Sequence, residues 1–277
     1  MNKIQNDDSC ILSFSSVNEY LDTAEKSKQL AEINPNYEDN ESWQFGSDIE
    51  ANTQEKTYSL LRAGKGLSSV RKLSRKYREE LQNSDLGEIV NRTKSVKRVR
   101  RYNDFDGNLD FDRVMSGNTD YWEKMRRDGQ AQVVRIGINY SLSAGNNLDS
   151  FSRIVGLSAI FAELLENLGY GVEIYGSSLY QNHKKPSKKR KKWLGMIFPV
   201  KSVSEPLDFE RIYSLGLSGL LRDAEFRIEE YVYGTHGGSC MVPPQSLIEL
   251  ADIDVLISKS WTNGNQVESI IQAINKL

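Results

Sequence analysis

The sequence predicts an α/β protein with a mainly parallel open sheet, helices on both faces of that sheet, an antiparallel edge strand and a mostly helical N-terminal appendage. Two observations predict this fold class. After residue 130, β-branched apolar runs alternate with long amphipathic stretches, which is typical of a parallel sheet with crossover helices. Before residue 130, charged helical patterns and turn-rich segments dominate. A chain of 277 residues is long enough for both parts.

The N-terminal part consists of an acidic segment followed by a basic one. Residues 1–55 contain twelve acidic residues and three lysines, a balance of −9, and we expect an acidic, partly mobile segment with a short helix in "VNEYLDTAEKSKQLAEI". Residues 56–101 contain fourteen basic and four acidic residues, a balance of +10. Residues 56–130 are therefore predicted to form a basic appendage, with two helices joined at "GKG", a strand in "RTKSVKRVRR" and turns after it.

Residues 131–277 form the predicted α/β domain. Strands are expected in "QVVRIGINYS", "GVEIYGSSL", "WLGMIFPVKS" and "DIDVLISKS". Helices are expected in "LDSFSRIVGLSAIFAELLENLGY", "PLDFERIYSLGLSGLLRDAEFRIEEYV" and "NQVESIIQAINKL". A loop without a helix joins the second and third of these strands, which favours an antiparallel hairpin and places the third strand at the edge.

Composition argues against several function classes. No run approaches the roughly eighteen apolar residues of a membrane helix, and the first residues do not resemble a signal peptide, so we expect a cytoplasmic protein without a membrane partner. Cys10 and Cys240 are too far apart for a zinc motif. His236 lies near Cys240, but no third group is evident to orient such a pair. The sequence also lacks a phosphate-binding glycine loop, so it favours a non-enzymatic protein without a cofactor.

A serine-bearing loop follows the first strand of the α/β domain. In open parallel sheets, ligands bind at the carboxyl ends of the strands, which is where Asn139, Ser141 and Ser143 of "NYSLS" lie. The order of strand, long helix, strand, antiparallel strand, helix and strand resembles that of von Willebrand factor A-type domains, which are Rossmann-like. That family carries the metal-binding pattern Asp-x-Ser-x-Ser at the end of its first strand, and "NYSLS" has Asn139 in the aspartate position.

The resemblance implies a degenerate metal site. Asn139 lacks the negative charge that a hard divalent cation prefers. Thr235 of "GTHGGS" matches a later threonine ligand, whereas Ser258 and Lys259 stand where the family has an acidic residue. The loop could still bind an ion, or the Lys259 ammonium could take the place of the ion. It could equally serve only as a turn and helix cap, since Ser and Asn are common in both.

The whole chain also resembles an uncharacterised group of bacteriophage and mobile-element proteins with a von Willebrand A-like C-terminal half. The resembling segments are "SWQFGSDIEANTQEKTYSLLRAGKG", "FDGNLDFDRVMSGNTDYW" and "LLENLGYGVEIYG", and the resemblance covers roughly residues 42–277. It implies a phage-encoded protein in the host cytoplasm. Its implications concern fold and origin more than activity.

Basic segments suggest a second kind of partner. "KKPSKKRKK" carries seven basic residues between positions 184 and 192, and such clusters neutralise phosphates without reading a base sequence. The alternative is a solvated loop tip. The candidate nucleic-acid contacts are Arg98, Arg100, Arg101, Lys184, Lys185, Lys188, Lys189, Arg190, Lys191 and Lys192.

Two functional hypotheses follow from these patterns. The first is a non-enzymatic interaction or scaffold protein that presents its strand-end loops to another protein. The second is a nucleic-acid-binding accessory factor in phage replication, transcription or packaging. The sequence specifies neither the partner nor the oligomeric state.

Overall fold

A computed structural model describes residues 1–27, 45, 48–82, 99–103, 108–109, 111–116, 122–126, 132–140, 148–182, 191–234, 238–239, 242–258 and 272–273. Within these residues, the chain forms a seven-stranded mixed sheet, a separate three-stranded sheet and helices. The main-sheet strands are β1 (Asn2–Gln5), β2 (Ser9–Ser13), β6 (Val133–Asn139), β7 (Gly171–Asn182), β8 (Trp193–Lys201), β9 (Gly238–Ser239) and β10 (Val255–Ile257).

The strand order of the main sheet is β1-β2-β8-β7-β6-β10, with β9 paired to the end of β7. Three of these pairings are parallel, namely β2 with β8, β7 with β6 and β6 with β10. Along this six-strand path the β8–β7 and β1–β2 pairings are antiparallel, and β9, which lies off the path, is also antiparallel to β7. The predicted α/β class with a mixed, mostly parallel sheet and an antiparallel edge is thus confirmed.

The edge strand differs from the predicted one. β8 is antiparallel to β7, as the helix-free connection predicted, but β2 pairs with its other side in parallel, from Ser9 opposite Trp193 to Ser13 opposite Ile197. The antiparallel edge strand is β1. Residues of the predicted acidic N-terminal segment therefore extend the sheet of the predicted C-terminal domain, and the two parts share one sheet.

The second sheet is antiparallel and lies in the predicted basic appendage. Its order is β3-β5-β4. The strand predicted in "RTKSVKRVRR" overlaps β3 at residues 99–101, and residues 92–98 of that prediction lie outside the described residues. The elements are β3 (Val99–Asn103), β4 (Asn108–Leu109), β5 (Trp122–Arg126) and the short helix α4 (Phe111–Met115).

Helices cover both faces of the main sheet. The first face carries the larger core, which includes Leu12 and Phe198, and most helices contribute to it. The opposite face carries a smaller core around Ile11 and Ile197, covered by a short helix. The helices of the first face are α1 (Val17–Lys26), α2 (Gln54–Arg62), α3 (Ser68–Gln82), α5 (Leu148–Asn167), α6 (Phe209–Ser214), a π-helix (Leu220–Glu225) and α7 (Phe226–Tyr233); that of the second face is α8 (Gln245–Leu250).

Local sequence signals explain several helix ends. Ser16 and Thr53 cap α1 and α2 through side chains that accept from backbone N–H groups three residues later. The predicted break at "GKG" separates α2 from α3. Gly169 adopts a φ of +95° just after α5, as the predicted helix end requires. The described helices include none that is long and apolar enough to cross a membrane.

Candidate functional site

The side chain of Asn139 extends the backbone pairing of the central strands. Asn139 is the last residue of β6 and is buried. Its Oδ1 accepts a hydrogen bond from the Leu179 N–H at 3.3 Å, and its Nδ2 donates to the Leu179 carbonyl at 3.4 Å. The next backbone bond runs from the Tyr140 N–H to the Ser177 carbonyl at 2.9 Å. The amide therefore continues the β6–β7 ladder, which gives Asn139 a structural role.

The structure brings one other predicted loop residue to the same edge of the sheet. Ser258 directly follows β10, whose Ile257 pairs with Ile138 of β6, and it is half-buried. Asn139 and Ser258 therefore follow neighbouring positions on two parallel strands. Ser141, Ser143, Thr235 and Lys259 lie outside the described residues, so their approach to this edge stays a prediction.

Replacing Asn139 with aspartate will destabilise the protein by about 1–3 kcal/mol, because a carboxylate cannot donate to the Leu179 carbonyl and faces it with a buried charge. Urea denaturation at pH 7 measures the change. Asn18→Asp is the matched control, since Asn18 is exposed in the first turn of α1, where a negative charge is favourable. An Asn139→Asp variant as stable as the wild type would contradict the structural role.

Two buried glutamates lie in the helical stretch formed by the π-helix and α7, which packs against the sheet. Glu225 ends the π-helix and Glu229 follows four residues later in α7, and each is 1 % exposed. The Ser178 hydroxyl of β7 donates a hydrogen bond to Glu225 Oε1. Burial, followed by the charge of Glu229, raises the pKa of Glu225 well above its ordinary value. Burial therefore favours the neutral, protonated form of Glu225.

Three buried tyrosines, Tyr20, Tyr140 and Tyr180, and the half-buried Tyr233 lie around the glutamate pair. The hydroxyls of Tyr20 and Tyr140 lie 3.2 Å apart, and the Tyr233 hydroxyl donates to the Gly195 carbonyl at 3.3 Å. Burial raises the pKa of Tyr20, Tyr140, Tyr180 and Tyr233 well above the ordinary value, and nearby charges, including those of the glutamates, raise it further. The phenols thus remain neutral hydrogen-bonding groups. We call Glu225, Glu229 and these four tyrosines the acid–tyrosine cluster.

A third acidic residue, Asp223, joins the π-helix to α2. Asp223 is 2 % exposed, and its Oδ2 accepts a hydrogen bond from the Tyr58 hydroxyl at 2.7 Å. Its Oδ1 accepts from Arg227 Nε at 2.6 Å, one helical turn later. Burial, followed by the charge of Asp223, raises the pKa of Tyr58. π-Helical turns are often found at functional sites, and here one brings Asp223 and Glu225 into the core.

The acid–tyrosine cluster holds the π-helix to β7 through Ser178 and Glu225, and α7 to β8 through Tyr233 and Gly195. It therefore supports the sheet near the strand ends. Among the described residues, no three histidine, cysteine, aspartate or glutamate side chains lie together in a group that could hold a metal ion. α7 ends at Tyr233 and is capped by Gly234, immediately before Thr235. β7 ends at Asn182, immediately before the predicted basic loop.

The predicted basic loop begins and ends at the sheet. At its C-terminal end, Lys191 Nζ donates to the carbonyls of Asn6 at 2.6 Å and Asp7 at 3.0 Å, in the turn between β1 and β2. Lys192 is exposed. The other basic residues of this loop and Arg98 lie outside the described residues, and Arg100 and Arg101 are described only as backbone of β3. Convergence of the basic segments therefore stays a prediction.

A cleft of about 560 Å³ lies near Lys201 at the end of β8. No sequence pattern indicated this cleft. Its charged lining residues form ion pairs with neighbouring acids, namely Arg62 with Asp22 at 2.8 Å, Arg211 with Glu205 at 3.1 Å and Lys201 with Glu166 at 3.0 Å. These contacts leave the cleft without a dominant charge that would indicate a ligand class.

The family model described as Domain of unknown function (DUF7192) matches residues 3–276. The chain belongs to the DUF7192 family. No curated protein and no solved structure matches it. The DUF7192 match includes most of β1 as well as β10, so the family unit contains the N-terminal strands together with the central sheet.

Proposed function

We propose that this protein is a non-enzymatic interaction component that binds another protein, and that its binding surface includes the outer edge of β1. The exposure of β1 supports this proposal. All four residues of β1 are exposed, and no described strand pairs with its outer side. An extended segment of a partner can add to such an edge through main-chain hydrogen bonds.

The backbone of β1 has a defined direction. The Asn6 N–H donates to the Ser9 carbonyl at 3.0 Å, in register with the β1–β2 pairing. Hydrogen-bonded pairs alternate along an antiparallel ladder, so Ile4 and Asn2 also direct their backbone groups toward β2. Lys3 and Gln5 therefore direct their N–H and carbonyl groups outward, where a partner strand would bind.

Site-specific crosslinking tests the proposed function. Gln5 is replaced with p-benzoylphenylalanine in the full chain, and crosslinking is carried out in the cells that naturally produce the protein. We expect an adduct of defined mass, identified by mass spectrometry. The matched control adds Lys3→Pro, which removes one outward N–H and leaves the β1–β2 ladder intact. Absence of any adduct, or an adduct that Lys3→Pro does not reduce, would contradict the proposal.

We further propose that the domain around β6 is von Willebrand A-like, with a degenerate metal site. The observed order of β6, α5, β7, antiparallel β8, the α6–α7 stretch and β10 supports this assignment, as does the position of Asn139 at the end of β6. In this proposal the strand-end loops form a second interaction surface above the acid–tyrosine cluster. The phage origin inferred from the resemblance belongs to the same proposal.

Nucleic-acid binding is the alternative function, and the charge of residues 184–192 supports it. A salt series with a fluorescent single strand and a duplex tests it. The informative variant replaces Lys188, Lys189, Arg190 and Lys192 with glutamine and retains Lys191, because Lys191 is bonded to the β1–β2 turn. Binding that falls steeply with salt and is lost in the variant would favour the alternative. Absence of binding at low salt would exclude it.

A further inference from the structure

We propose that the occupant of the β1 edge is a second copy of this chain, which adds its own β1 in antiparallel orientation about a two-fold axis at Ile4. This inference rests on the proposed function of the β1 edge as a protein-binding surface, and it names the partner. The two copies would form one continuous sheet across the axis.

The outward backbone groups of β1 restrict how two copies can pair. Lys3 and Gln5 must lie opposite outward-facing residues of the second copy to exchange hydrogen bonds. With the axis at Ile4, Lys3 lies opposite Gln5 of the second copy, and Gln5 lies opposite its Lys3. Both outward residues of each strand are then paired.

Other registers are less favourable. An axis at Lys3 places the two Lys3 ammonium groups directly opposite each other, and like charges in that position are destabilising. An axis at Gln5 would place Lys3 opposite Asp7, which lies in the turn after β1 rather than in the strand. The axis at Ile4 avoids both problems.

The side chains of this register are compatible, because no like charges lie opposite each other. Ile4 pairs with Ile11 in the β1–β2 ladder, so it lies on the sheet face of the smaller apolar core, and it is 37 % exposed. The two Ile4 residues would form a non-hydrogen-bonded pair, in which side chains approach most closely. Lys3 and Gln5 lie on the other face, where the ammonium group meets an uncharged amide.

The size of β1 sets the expected strength. A pairing of two four-residue strands belongs to the smallest class of specific interfaces, so association is weak. Lys3 also limits uncontrolled pairing, since charged residues on edge strands oppose aggregation. The structure therefore predicts a reversible dimer at high concentration rather than a permanent one.

Sedimentation of the full chain from about 10 μM to about 1 mM tests self-association over the range of weak affinities. We expect the mean mass of the wild type to rise toward that of a dimer. Lys3→Pro should remove this rise without lowering the unfolding midpoint, because the missing N–H faces outward. Lys3→Ala is the matched control; it retains the N–H and should still associate.

Disulfide trapping tests the register. Under mild oxidation, Ile4→Cys should give a covalent dimer, because the two Cα atoms in a non-hydrogen-bonded pair lie close enough for a disulfide. Lys3→Cys should give far less, since position 3 lies opposite position 5. Both variants retain Cys10 and Cys240, so the comparison removes the contribution of the native cysteines.

A wild type that stays monomeric throughout the concentration range, or an Ile4→Cys variant that traps no more dimer than Lys3→Cys, would overturn the inference. The crosslinking experiment at Gln5 separates this failure from that of the proposed function. A Lys3→Pro-sensitive adduct with a different protein would leave the β1 edge as a binding surface and change only its partner.

Discussion

Replacing Glu225 with glutamine will remove much of the loss of stability that the wild-type protein shows as the pH rises. The raised pKa of Glu225 means that the folded state binds its proton more tightly than the unfolded chain, where the ordinary value is 4.5. The stabilisation is complete below that value and is lost as the pH rises through the folded-state pKa. One such group contributes a slope of at most about 1.4 kcal/mol per pH unit. Urea denaturation between pH 5 and pH 9 measures it.

The Glu225→Gln variant keeps the size of the side chain and an oxygen that can accept from the Ser178 hydroxyl. The matched control is Glu55→Gln, since Glu55 is exposed in the first turn of α2. The control should retain the wild-type slope. Glu19 affects stability in a different pH range from Glu225. Hydrogen bonds from the N-terminal ammonium and Ser15 lower the pKa of Glu19 to about 2, so the stability that Glu19 contributes is lost as the pH falls from 4.5 toward 2. Equal slopes for wild type and Glu225→Gln would contradict the account of the acid–tyrosine cluster.

Replacing Asp223 with alanine will destabilise the protein by about 3–5 kcal/mol, the range typical of removing one partner from a buried ion pair. The substitution removes an acceptor from the Tyr58 hydroxyl and from Arg227, whose side chain is 13 % exposed. Because Tyr58 belongs to α2 and Asp223 to the π-helix, the loss weakens the contact between them. Urea denaturation at pH 7 measures the difference in unfolding free energy.

Asp22→Ala is the control for Asp223→Ala. Asp22 pairs with Arg62 at 2.8 Å, but its side chain is 54 % exposed, so its removal should cost less than about 1 kcal/mol. A double-mutant cycle with Tyr58→Phe and Asp223→Asn then isolates the hydrogen bond between these two side chains. An Asp223→Ala variant that loses no more stability than Asp22→Ala would show that this buried contact does not hold the helices together.

Long periodic segments made most of the core predictable. The strands β6, β8 and β10 and the helix α5 lie within the predicted runs, because each carries enough apolar residues to show its period. β7 continues beyond its predicted run, which ends at Leu179, to Asn182. The direction of β8 followed from the loop before it. The predicted closing helix lies largely outside the described residues, where only positions 272–273 are described, as helical.

The N-terminal strands were missed for a physical reason. β2 has only five residues, "SCILS", and lies in an acidic segment, so its local pattern is weak. Its pairing with β8 joins positions that are far apart in the sequence, from Ser9 opposite Trp193 onward. The pairing with β8 stabilises β2 through tertiary packing, and the local periodicity of a sequence does not show such packing.

Buried acids were missed because their local sequence resembles a solvated helix. In "RDAEFRIEE", charged residues alternate with apolar ones, and glutamate is rarely fully buried. The available signal was the pair of glycines, Gly216 and Gly219, which interrupts the helical pattern before the π-helix. The role of Asn139 was partly predictable, since a structural role was one of the alternatives, but its bonds to Leu179 depend on the position of β7.

Residue-resolved amide exchange of the full chain most directly tests the claim that β1 presents an open binding edge. In dilute solution, we expect protected amides at Ile4 and Asn6, which face β2, and unprotected amides at Lys3 and Gln5. At high protein concentration, Lys3 and Gln5 should become protected while Ile4 and Asn6 change little. Protection of Lys3 and Gln5 in dilute solution would contradict the claim, because it would mean that the protein's own chain already covers this edge.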